Sequence, residues 1–265
     1  MSGRFSNYAL AALASAWILV PIYLLTVSAL GGEEVVNAWP KSFLPILHLD
    51  TIAFFFGVEG VWRAIANSVL VALMTMVFAI GMGAPAGYAL ARFQFRGKDA
   101  YRLLILLTRA FPIAVLAVPL TVRFIQLGLY DTLLAVALVH TALALPFAIL
   151  VSASLFMGIP RELEEAAWTL GCTRFQAFAK IVWPLARPGI AATAIFAFVI
   201  SWNEVFAAAV LTLQQRTLPA YLLVSLAESP LPFRFAGGLF LIVPALVFIF
   251  AVRRYLFSMW GIANR

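Results

Sequence analysis

Five polar side chains stand inside apolar sequence: Arg109, His140, Ser201, Asn203 and Glu204. An ionisable group near the centre of a bilayer costs at least about 2.5–3.5 kcal/mol, so each such group needs a partner or a wet cavity. That requirement makes the five the candidates for a solute pathway. Asn203 and Glu204 serve equally well as hydrogen-bonding groups between helices, and a lone His140 as a packing residue. Other chemistries lack their residues. No G-x-x-x-x-G-K-[ST] run is present to wrap N–H groups around nucleotide phosphates, and neither G-x-S-x-G nor H-E-x-x-H occurs. The two histidines, His48 and His140, stand apart, and the single Cys172 excludes an intrachain disulfide and a Cys/His metal cluster.

A second group lies in the charged stretch 159–184, IPRELEEAAWTLGCTRFQAFAKIVWP. Pro160 suits a first helical position, Glu162, Glu164 and Glu165 crowd the first turns where the helix dipole favours anions, and Gly171 provides a left-handed stop. Thr173 and Gln176 have capping-box spacing, and a second helix is expected to end near Trp183, ahead of Pro184. The product is a polar helix-turn-helix between apolar runs, a unit suited to being gripped by another protein.

The elements that hold these residues are membrane spans. Hydrophobic residues make up 64% of the chain and charged ones 11%, far from the balance of a soluble domain. Crossing the hydrocarbon core takes about 20 apolar residues. Six stretches qualify, at 8–30, 64–91, 101–124, 132–157, 188–211 and 234–257. The fold class is therefore all-α, a polytopic membrane protein with six transmembrane helices. Residues 1–63 form the first span and an outer interfacial segment in which Phe54–Phe56 and Trp62 anchor at headgroup depth. Residues 64–265 form a five-span core carrying the loop at 159–184. The small residues Gly81, Gly83, Ala84, Ala86 and Gly87 are read as a helix-packing surface.

The net charge of +7 is dispersed between apolar runs, which argues for membrane topology and against nucleic acid. Arg4, Arg92, Arg96, Lys98, Arg102, Arg161, Arg174, Lys180, Arg187, Arg253, Arg254 and Arg265 fall on one side. Lys41, Arg63, Arg123, Arg216 and Arg234 fall on the other. This asymmetry places both termini and the 159–184 loop in the cytoplasm. In a continuous third span Arg109 lies about 12 Å from the cytoplasmic start, with Arg123 on nearly the same face. Two readings of Arg109 stay open: a guanidinium that binds an anionic solute, and an ion pair with an acid such as Glu204 or one from a partner chain.

The spacing Glu165-Ala166-Ala167, Gly171, Ile181, Pro184 resembles the EAA loop of membrane subunits of ATP-binding-cassette (ABC) importers. The segments AIANSVLVA (64–72), AGYALARFQFRGK (86–98), Phe111-Pro112, LGLYDT (127–132), LPF (145–147) and SWNEVF (201–206) resemble the carbohydrate-importer permeases of the maltose and glycerol-phosphate type. Trp183, where that family usually has Leu, Arg109 and the terminal MWGIANR depart from the pattern. The resemblance implies a permease subunit in the cytoplasmic membrane that carries a sugar or sugar derivative. It implies a second, related but different permease, two ATPase subunits that bind ATP and Mg, an external solute-binding protein and no cofactor in this chain. It also implies roles: Glu165, with Glu164 beside it, meets a basic group of the ATPase, Ala166 and Ala167 allow close approach, and Gly171 sets the bend. The alternative is an ion-coupled secondary transporter or channel, driven by intramembrane charge.

Overall fold

A run such as 133–157, 25 residues without Asp, Glu, Lys or Arg, satisfies its backbone inside a bilayer only by closing every N–H onto its own carbonyls. Helices follow throughout. The computed structural model describes residues 2–40 and 48–259; Lys41 and Arg265 of the charge comparison lie outside them. In chain order the helices are α1 (Ser2–Leu30), α2 (Gly32–Asn37), α3 (Asp50–Gly57), α4 (Val61–Arg92), α5 (Lys98–Leu107), α6 (Ile113–Gln126) and α7 (Leu133–Met157). They continue with α8 (Glu162–Thr169), α9 (Arg174–Ala177), α10 (Trp183–Asn203), α11 (Phe206–Leu211), α12 (Leu218–Val224) and α13 (Leu231–Met259).

Among the described residues, four helical stretches are long and apolar enough to cross a membrane: Ser6–Leu30, Val61–Arg92, Leu133–Met157 and Arg174–Asn203. A fifth candidate is bent. The expected straight third span is instead two helices, Lys98–Ala110 and Ile113–Gln126, meeting at 88°. Pro112 causes the break: the residue before a proline is pushed out of helical backbone, and Phe111 is extended at φ −79°, ψ 118°. The expected sixth span falls in α13, of which Leu231–Val247 is a shorter apolar helix among the described residues.

The chain divides into two compact units, Met1–Arg63 with Tyr221–Pro244, and Ala64–Ala220 with Ala245–Arg265. In the first, Phe55 is buried and meets the Phe233 ring edge-on at 5.4 Å. Only part of the expected aromatic anchor is therefore outward-facing: Phe54 and Trp62 are exposed, whereas Phe55 is core. Gly60, at φ +91°, turns the chain into α4, and Tyr221 Oη donates to the Glu59 carbonyl at 2.7 Å.

In the second unit, α4, α7 and α10 close around Ala79, Ala144, Ala148 and Ala197. Small residues let the helices approach. A Cβ on Gly83 would come within 2.8 Å of Ala148 Cβ, and one on Gly87 within 2.6 Å of Ser152 Cβ. Gly81 has open space around it, so two of the three glycines do the packing.

Candidate functional site

The loop after α7 folds as its residues dictate. Gly171 takes φ +86°, the Thr173 hydroxyl accepts the Gln176 N–H at 3.2 Å, and the Gln176 side chain accepts the Thr173 N–H at 2.9 Å. The second helix, however, does not stop at Pro184. A π-turn at Phe178–Val182 widens the helix just before the proline, Pro184 falls in the first turn of α10, and one helical path runs from Arg174 to Asn203. Widening the turn ahead of the ring removes the clash that ends an α-helix there. Pro160 sits two residues before α8, whose first turn holds Glu162, Glu164 and Glu165.

The two central glutamates point opposite ways. Glu165 is exposed, with Arg161 Nε 3.6 Å away, and Ala166 is exposed beside it, while Ala167 is buried. Leu163, Leu170 and Phe175 are exposed as well, the last two at 85% and 77%. Glu164, grouped with Glu165 as a docking residue from sequence, is turned inward and 2% exposed. Its carboxylate takes a charge-assisted bond from Arg92 Nε and a 2.6 Å bond from the Tyr88 hydroxyl, and Arg92 Nη2 also reaches the Ile159 carbonyl at 3.0 Å. An apolar outer face and an inward ionic anchor thus share one short helix. The anchor was missed in the sequence, although Tyr88 and Arg92 stand one helical turn apart in the segment AGYALAR.

The second constellation sits where α10 ends. His140, fully buried on α7, places Nδ1 2.8 Å from Ser201 Oγ and Nε2 2.9 Å from Glu204 Oε2. Against an ionised carboxylate, which only accepts, Nε2 is the donor of that pair. Glu204 breaks the expected fifth span. Its backbone is extended, and its oxygens accept the N–H groups of Phe206, Ala207 and Ala208 at 3.0–3.3 Å, starting α11 with its own side chain. Three of the five pathway candidates, His140, Ser201 and Glu204, are thereby brought together. Asn203 is not with them: it is exposed and donates to the Val199 carbonyl of its own helix.

Arg109 lies in the 3-10 turn at the bend, exposed. The 88° turn removes the face it was expected to share with Arg123, which donates to Gln126 Oε1 instead. Its expected intrachain partner is also taken, since Glu204 holds His140. The concave side of the bend encloses an apolar cavity of about 450 Å³, lined by Phe111, Leu120, Phe124, Leu138 and Leu143 among others.

Residues 79–258 match the family of binding-protein-dependent transport system inner membrane components. The chain belongs to this family. The permease is 37% identical over 215 residues to the trehalose transport system permease protein SugB of Mycobacterium tuberculosis, covering 76% of this chain and 77% of that one. It is 34% identical over 211 residues to the sulfoquinovosyl glycerol transport system permease protein SmoH of Agrobacterium fabrum, covering 77% and 73%. With the arabinooligosaccharides transport system permease protein AraQ of Halalkalibacterium halodurans it shares 32% over 219 residues, covering 79% and 76%. Its fold is that of a chain in the crystal structure of a bacterial ABC transporter involved in the import of the acidic polysaccharide alginate, with a TM-score of 0.79, 21% identity and 95% of both chains covered. As a family member the permease is a multi-pass inner-membrane transport component, not a catalyst, and it works with a binding protein. The ion-coupled transporter reading falls with that assignment.

Proposed function

We propose that the permease forms half of the translocation pathway of an ABC importer for a sugar or sugar derivative. A second, related but different permease supplies the other half, two ATPase subunits bind ATP and Mg at the cytoplasmic face, and an external binding protein delivers the solute. The chain crosses the membrane six times, the bent α5–α6 pair counting once and α13 providing the last crossing, with both termini in the cytoplasm. The sugar class rests on relatives whose names carry trehalose, arabinooligosaccharides and sulfoquinovosyl glycerol. An anionic solute is not required, because the paired-arginine face that argued for one is absent.

The observation that carries this reading is the divided loop. An exposed patch of Leu163, Ala166, Leu170 and Phe175 beside Glu165 offers a protein partner an apolar contact with a charge at its edge, and the anchored Glu164 behind it keeps the helix from yielding. Closure of the ATPase pair around ATP then moves the loop, and through it α7 and α10, in an alternating-access cycle. The test uses the complete complex with Cys172→Ser and Ala166→Cys. We expect a thiol-reactive crosslinker to join the permease to the ATPase subunit with a yield that changes on adding ATP. A complex that copurifies with its ATPase yet gives no such crosslink overturns the docking assignment.

A further inference from the structure

Between the end of α4 and the loop helices α8 and α9 lies a cavity of about 320 Å³ whose lining includes three arginines, Arg92, Arg161 and Arg174. One carboxylate shares the lining, and it is already engaged: Glu164 accepts from Arg92 Nε and from Tyr88. Arg92 spends Nε on Glu164 and Nη2 on the Ile159 carbonyl, which leaves Nη1 outside both bonds. Arg161 faces Glu165 across 3.6 Å in a pair that is 56% exposed on each side, a contact that water screens. Arg174 lies over the Trp168 ring, 5.7 Å from its centroid, and no carboxylate among the described residues is within ion-pair distance of it. Trp168 lines the same cavity, and its indole N–H is buried without a hydrogen-bond partner.

Charges that only set topology need nothing more than water. Here three arginines and a tryptophan with an unused buried donor line one cavity, and an oxygen-rich anion would satisfy both the cations and the donor. We propose that this cavity binds a phosphate-bearing group, with Arg92, Arg174 and the Trp168 N–H among its donors. The volume exceeds that of orthophosphate and admits a phosphorylated small molecule or the headgroup of an anionic phospholipid, which present the same chemistry. Because the donors come from α4, α8 and α9, an occupant fastens the loop to the end of α4 and restrains the movement that transport needs. The site is then a regulatory one, separate from the solute pathway.

The complete complex in phosphatidylcholine nanodiscs and phosphate-free buffer provides the test. Phenylglyoxal labels Arg174, and mass spectrometry of the labelled peptide follows the rate with and without inorganic phosphate; a parallel arm replaces part of the lipid with phosphatidylglycerol. Protection by phosphate in the neutral lipid supports a soluble ligand, and protection that appears only with phosphatidylglycerol supports a lipid headgroup. Trp168→Phe keeps a ring beneath Arg174 but removes the N–H, and we expect it to raise the half-protecting phosphate or lipid concentration about tenfold. Absence of protection in both arms overturns the site, and unchanged protection in Trp168→Phe overturns the donor assignment. The readout is chemical labelling without turnover, so the result stands apart from the coupling reading.

Discussion

Asp131 accepts the N–H of Leu213 at 2.8 Å across 82 residues of chain. The same oxygen, Oδ1, takes the N–H groups of Gln214 and Gln215 at 3.0 Å, and the Asp131 N–H returns to the Leu211 carbonyl. The turn before α7 is thereby tied to the segment after α11. Asp131 sits at φ 59°, a backbone Asp and Asn tolerate better than other non-glycine residues. Asp131→Ala removes the acceptor of three N–H groups and should destabilise the permease by about 2 kcal/mol, seen as a lower thermal midpoint and faster proteolysis between 211 and 217. Asp131→Asn keeps an oxygen and the backbone preference and should lose clearly less. Equal losses in the two variants would argue against the clasp.

Arg92 and Glu164 should behave as a unit. Either Arg92→Gln or Glu164→Gln leaves a buried partner unmatched and costs about 3–5 kcal/mol, whereas the double variant should cost less than the two losses added together. Thermal denaturation of the four proteins in detergent closes the cycle. Additive losses would mean that the pair contributes through packing and not through its charges.

The outward glutamate behaves differently. Glu165→Lys, at an exposed position, should leave the stability within about 0.5 kcal/mol of wild type while uncoupling solute uptake from ATP hydrolysis. Gly171→Val forces a β-branched residue to φ +86° and should do the same with an added stability loss. Normal uptake per ATP hydrolysed in both variants would remove the loop from the coupling mechanism.

At the broken helix, His140→Ala removes the partner of the Ser201 hydroxyl and the link from Glu204 to α7, and we expect a loss of about 1–3 kcal/mol together with much reduced uptake. Ser201→Ala, which removes only the outer member of the chain, should retain most of both. Transport assays on vesicles alongside melting curves separate the two, and equal defects would reassign the hydroxyl as essential.

Local rules made the loop legible: Gly171, Thr173 and Gln176 act through neighbours a few residues away, and they appear as their types require. Long-range choices were not legible. Nothing near Glu164 says that it, and not Glu165, turns inward; Arg92, 72 residues earlier in the chain, decides that. Pro112 and Pro184 show the same limit from the other side. Both are prolines in or beside apolar helices, yet one breaks its span because Phe111 becomes extended, and the other is absorbed by the π-turn before it. His140 read correctly as a residue in need of partners, but their identity depended on how α7 packs against α10.

The uninterrupted path from Arg174 to Asn203 makes the loop and the broken helix two ends of one lever. Thirty residues at the helical rise span about 45 Å, so a tilt of about 10° at the loop displaces the far tip by roughly 8 Å. At that tip, Ser201 and Glu204 are fastened to His140 on a different helix. A displacement of that size cannot be taken up by two hydrogen bonds of 2.8 and 2.9 Å. If the loop is driven as proposed, either α7 travels with the lever or the latch at His140 opens on every stroke, and the second course would make these two bonds the catch that sets how much force a cycle must deliver.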